Sequence, residues 1–120
     1  MSIIYSLTKP YAANPTTTTL LSIVGSGPPT NYIVKIFGTS DDTTNVMTHT
    51  VDASYQLTWN GVTYSGTNTL GVSPGSFSWV IVGNTAAFNF TPMAGAGAGN
   101  FGLHVVVIMS NTDSPAQLFT

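Results

Sequence analysis

"YQLTWNGVTYSG", residues 55–66, decides the fold class. Asn60-Gly61 is the dipeptide best suited to the positive φ angles of a two-residue type I′ turn, and apolar and polar residues alternate on either side of it. Counting outward from that turn pairs Trp59 with Val62 and Leu57 with Tyr64. Tyr55, Leu57, Trp59, Val62 and Tyr64 then share one side of a β-ribbon, and Gln56, Thr58, Thr63 and Ser65 share the other.

The same logic recurs in "FSWVIVGNTAAFNF", residues 77–90. A II′-type turn at Gly83-Asn84 pairs Val82 with Thr85 and, further out, Trp79 with Phe88. One face collects Phe77, Trp79, Ile81, Ala86, Phe88 and Phe90. The other carries Ser78, Val80, Val82, Thr85, Ala87 and Asn89, which is still half apolar, so this hairpin is expected near the centre of a sheet and covered on both sides.

Further strands are predicted at residues 2–8, 19–24, 32–38, 46–51 and 102–109, all rich in β-branched or aromatic residues. They are separated by turn chemistry at 25–29, 39–45 and 67–74. No stretch repeats apolar residues at i, i+3, i+4 and i+7, and the helix formers Glu and Arg are absent. Eight or nine short strands predict an all-β domain, an antiparallel sandwich or jelly roll, with a small barrel as the alternative. Residues 1–19, which contain Pro10, Pro15 and a run of Thr, read as an extended N-terminal arm with little packing of its own, and residues 20–120 as a single domain.

"GAGNFG", residues 97–102, fits the G-x-G-x-x-G pattern that cradles a dinucleotide. That pattern has physical meaning only where it opens a helix, because the pyrophosphate sits on the free N–H groups of the first turn. Here it runs into "LHVVVIM", another strand. "MAGAGAGN", residues 93–100, reads instead as a pliant Gly/Ala connection, and no cofactor is expected.

Only 5% of the 120 residues are charged, whereas Thr, Ser and Asn make up a third. The full set is Lys9, Lys35, Asp41, Asp42, Asp52 and Asp113. Two cations cannot neutralise a run of phosphates, so nucleic acid and acidic membranes are not expected partners. Without cysteine there is neither a disulfide framework nor a thiolate metal site. The N-terminal residues lack a basic region followed by an apolar stretch, and no apolar run approaches the roughly 20 residues that span a bilayer.

Candidates for chemistry are few, and no enzyme is expected. His49 and His104 each fall in a strand and read as half-buried residues with one hydrogen-bonded nitrogen. Asp41, Asp42 and Asn45 suggest a solvated turn, since no Glu is present to close a calcium loop. Asn89 begins the glycosylation sequon "NFT" but falls within a strand. Tyr55, Trp59 and Tyr64 fit a sandwich interior better than an exposed sugar-stacking platform. No catalytic, cofactor or metal residue is assigned.

Unpaired sheet edges are commonly protected by Lys, and this chain has two. Its edges and apolar patches are therefore expected to be covered by other copies. The short length, the Met start without a signal, the lack of cysteine, "NPTTTT" and "MAGAGAGN" together resemble the small all-β structural proteins of tailed bacteriophages, in particular head decoration or cement proteins. That resemblance implies a virion protein on the capsid surface, commonly trimeric, whose terminal arm clamps the major capsid protein. The candidate assembly residues are Tyr5, Leu7, Tyr11, Leu20 and Leu21 toward the N-terminus, and Leu118 and Phe119 at the C-terminal end. Two other classes compete: a subunit of a surface or extracellular filament whose edge strands pair between copies, and a carbohydrate-binding module.

Overall fold

The computed structural model describes residues 2–42, 47–66, 69–72, 75–111 and 113–119. Ten strands follow in order: β1 (Ser2–Tyr11), β2 (Thr18–Val24), β3 (Thr30–Asp42), β4 (Met47–Trp59), β5 (Tyr64–Gly66), β6 (Thr69–Val72), β7 (Gly75–Val82), β8 (Thr85–Pro92), β9 (Gly99–Met109) and β10 (Gln117–Phe119). They form two five-stranded antiparallel sheets, a front sheet ordered β1-β9-β3-β4-β5 and a back sheet ordered β10-β2-β8-β7-β6. The sheets share no strand, so the fold is a sandwich and not a closed barrel. The pairs β1·β9 and β2·β8 are nested, as in the outer winding of a roll, while β3–β5 and β6–β8 run as meanders within their own sheets.

At about 3.4 Å per residue, the 13-residue β3 and β4 account for the 45 Å long axis of the molecule. The core is the layer between the sheets. β4 alternates strictly from Val51 to Trp59, with every odd residue buried, and β9 buries Phe101, Leu103, Val105, Val107 and Met109. Interior ring contacts among the described residues fall into two groups. One runs from Tyr11 through Phe90, Phe101, Phe77 and Phe88 to Tyr55 and Trp79, and the other joins Tyr32, Tyr64 and Trp59.

The second group is closed by the β2–β3 loop, which the sequence marks as a turn, and by the segment before β10. Trp59 Nε1 donates to the Gly27 carbonyl (3.0 Å), Tyr32 Oη to the Ser114 carbonyl (2.7 Å), and Ser114 Oγ to the Pro28 carbonyl. These bonds tie the segment before β10 to the β2–β3 loop.

The hairpin at Gly83-Asn84 has the expected register, Val82 opposite Thr85 and Trp79 opposite Phe88. Its buried face is Phe77, Trp79, Ala86, Phe88 and Phe90, with Ile81 partly buried. Its other face is not covered within the chain, since Val80 and Val82 are exposed. β8 lies at the centre of the back sheet, with β7 beside it.

At Asn60-Gly61 the register differs by two residues: Trp59 faces Tyr64 and Leu57 faces Gly66. Asn60 Oδ1 accepts hydrogen bonds from the amides of Val62 and Thr63 (2.8 Å each), and the Asn60 amide donates to the Thr63 carbonyl (3.1 Å). A side chain that captures two backbone donors wraps the chain into a four-residue loop in place of the tight turn. An even shift preserves the faces, so Tyr55, Leu57, Trp59 and Tyr64 are buried as expected, but Val62 moves into the loop and is exposed.

The expected N-terminal arm holds a strand. β1 pairs with β9 over ten residues, from Ser2 opposite Ile108 to Tyr11 opposite Gly99, and β2 begins at Thr18. Between them, only residues 12–17 lie outside a sheet. Pro10 is tolerated because β1 is an edge strand. The two strands expected around 46–51 and 55–59 are the single strand β4, and β3 extends past Gly38 into the expected turn as far as Asp42. β6 lies inside the predicted 67–74 separator, and β10 adds a short strand at the C-terminal end.

Candidate interaction surfaces

Strand parity places the seven sequence-predicted assembly residues. Leu7, Tyr11, Leu21 and Leu118 point between the sheets, and Leu20, the extra residue of a β-bulge in β2, is buried as well, so all five fill this chain's own core. Tyr5 is partly buried against the same core, and Phe119 projects outward with 55% of its surface exposed. Of the seven, Phe119 offers the most surface to a partner.

"GAGNFG" contains the first residues of β9, and no helix follows it. "MAGAGAGN" crosses from the back sheet to the front sheet between β8 and β9, held by the Ala96 amide on the Met93 carbonyl (3.0 Å) and by Asn14 Nδ2 on the Pro92 carbonyl (2.8 Å). Gly99 has a packing reason: a Cβ there would lie 1.6 Å from the Asp41 carbonyl oxygen and 2.4 Å from Tyr11 Oη.

The front sheet holds every Lys, Asp and His of the strands, and Lys35, Asp41, Asp52 and His104 are exposed on its outer face. One cross-strand row reads Ser6, His104, Phe37, Asp52. Ser6 Oγ and His104 Nδ1 are 3.0 Å apart, and the imidazole stacks on Phe37 at 5.5 Å between centroids. With Phe37 between them, Asp52 stands two strands from His104, roughly 10 Å away at ordinary strand spacing, which is too far to orient the ring. His49 has no described side chain, and Asn45 lies outside the described residues; Asp41 is an exposed residue of β3. Among the described residues, no three His, Cys, Asp or Glu side chains converge.

On the same face, Asn31, Ile33, Gln56 and Thr58 rim a depression of about 300 Å³ floored by Tyr32 and Leu57. Its amides, hydroxyl and aliphatic chain suit a neutral hydroxylated ligand, but no aromatic ring projects into it from the hairpin. Tyr55, Trp59 and Tyr64 are each at most 3% exposed and are not a stacking platform. Burial pushes the Tyr55 phenol up to about 12. It also raises Tyr32 and Tyr64, the latter further through the neighbouring Tyr32 phenol.

The back sheet differs in kind, because β2, β6, β7, β8 and β10 contain no Asp, Glu, Lys, Arg or His. Its outer face presents rows that read Phe119, Ser22, Ala87, Val80 and then Gln117, Val24, Thr85, Val82. Beyond them, Thr19 Oγ1 donates to Asn89 Oδ1 (2.8 Å), and Thr17 Oγ1 bonds Thr91 Oγ1 (2.7 Å). The side-chain carbonyl oxygen of Asn89 in the sequon thus accepts a hydrogen bond from the neighbouring strand. Val80 and Val82 were absent from the predicted assembly residues, although the half-apolar second face of the Gly83-Asn84 hairpin was their signal.

Comparison with protein families, with curated proteins and with solved structures finds no match to this chain. Among the described residues, no helix is long and apolar enough to cross a membrane.

Proposed function

We propose that this chain is a virion structural protein of the capsid-decoration type, which acts through the surfaces it covers. The observation that carries the reading is the segregation of charge: one sheet holds the ionisable strand residues, and the other turns an uncharged, partly apolar face outward. Soluble monomers seldom leave such a face open, and a subunit seated among neighbours has it covered. At a symmetric shell, a small buried area repeated at every junction adds up to substantial stabilisation.

Mass spectrometry of purified source particles, with antibody labelling of their exterior, tests this reading. The expected result is a stoichiometric outer component. Absence from purified particles, with the protein abundant in the lysate, would overturn it.

A second reading, a filament subunit joined by strand pairing, is favoured by β1, a ten-residue front-sheet edge whose one charge is Lys9. Polymerisation of the purified chain without any shell would select it.

A further inference from the structure

We propose that a second copy of this chain sits on the outer face of the back sheet, related by a twofold axis that runs along the strands between β2 and β8. Three features of the face lead there. First, it contains no ionisable side chain, so covering it strips water from no charge and a like copy meets none of its own sign. A partner that relied on ionic pairing would find nothing to pair with. Second, part of its polar surface is already satisfied within the chain, by Thr19 on Asn89 and Thr17 with Thr91, which lowers the cost of docking there.

Third, its relief is self-complementary. Phe119 stands at one margin, 55% exposed, with Val80 (46%) and Val82 (74%) at the other and the small residues Ser22 and Ala87 between them. The proposed axis exchanges the two margins, so Phe119 of each copy lies over Val80 and Val82 of the other. The four strands β10, β2, β8 and β7 span about 19 Å at 4.8 Å spacing, and four residue rows span about 27 Å. The product is roughly 500 Å² per copy, or about 1,000 Å² in all, the lower end of what a specific interface buries. A weak, reversible dimer follows. It stands apart from the virion reading, because it concerns the purified chain alone.

Sedimentation equilibrium of the full chain, from about 1 µM to about 1 mM, should show a species of twice 12.5 kDa with a Kd on the order of 1–100 µM. Val80→Asp or Val82→Asp should raise that Kd about 100-fold or more by burying an unpaired carboxylate. Ile33→Asp, on the front face, should leave it unchanged. All three positions are at least partly exposed, and an unaltered urea midpoint at low concentration confirms that each variant folds. Because the chain has no cysteine, a mixture of Phe119→Cys and Val80→Cys treated with a short bis-maleimide should give a crosslinked pair containing one of each. A monomer throughout the range overturns the proposal. So does a dimer broken by Ile33→Asp but indifferent to Val80→Asp, or one that yields no mixed crosslink.

Discussion

Replacing Tyr11 by alanine distinguishes a strand that belongs to the fold from an arm that rests upon it. Tyr11 is 3% exposed, its ring lies 5.1 Å from Phe90 of the back sheet and 4.8 Å from Phe101 of the front sheet, and its hydroxyl donates to the Asp41 carbonyl at 3.0 Å. It therefore closes one end of the sandwich from the edge strand. Truncating a core aromatic to alanine costs about 3–5 kcal/mol, and the phenolic hydrogen bond contributes about 1 kcal/mol. Tyr11→Ala should then cost about 4–6 kcal/mol and Tyr11→Phe about 1 kcal/mol, against a total of about 5–15 kcal/mol for a domain of this size. In thermal terms the alanine variant should melt roughly 15–25 °C lower. Urea unfolding followed by tryptophan emission measures both variants, since both indoles are buried. If Tyr11→Ala lies within about 1 kcal/mol of the wild type, residue 11 is not enclosed between the sheets, and the N-terminal segment is a detachable arm after all.

Two further predictions concern the same framework. Gly99→Ala should cost about 3 kcal/mol or more, because the added methyl meets the Asp41 backbone oxygen, which cannot rotate away. Gly83→Ala should cost only about 1–2 kcal/mol, since its φ of 59° is strained for alanine but nothing lies within 4 Å; equal urea midpoints for the two variants would contradict the packing at Gly99. Stability should also fall in alkali. The unfolded chain releases tyrosine protons near pH 10 while the folded chain still holds them, so stability is intact below pH 10 and declines above it. By pH 12, Tyr55 alone removes about 2–3 kcal/mol, its folded value lying near 12. Unfolding midpoints between pH 9 and 12, read beside phenolate absorbance, check this, and a flat profile would refute it.

How much of the molecule is legible in the sequence depends on whether the deciding contact is local. Gly83-Asn84 fixes its hairpin completely, because a two-residue turn leaves one register. At Asn60 the faces are legible and the register is not, since the side chain bonds two amides that a count of turn residues does not include. Pro10 and the Thr run suggest an arm because Pro and exposed hydroxyls are common there; that residues 2–11 line an edge depends on β9, some hundred residues away. Gly99 is read as loop for a similar reason, as its strand conformation answers to Tyr11 and Asp41. For the candidate surface, Phe119 and the half-apolar Val80–Val82 face are visible in the sequence. Their union in one uncharged plane requires the strand order β10-β2-β8-β7.

The division of the aromatic rings into two interior groups gives each group its own natural fluorophore. Trp79 reports on the rings that Tyr11 closes, and Trp59 on those beside Tyr32 and Tyr64. Paired single-tryptophan versions of the chain would therefore show, from emission alone, whether the two ends of this long, narrow body melt in concert or in succession.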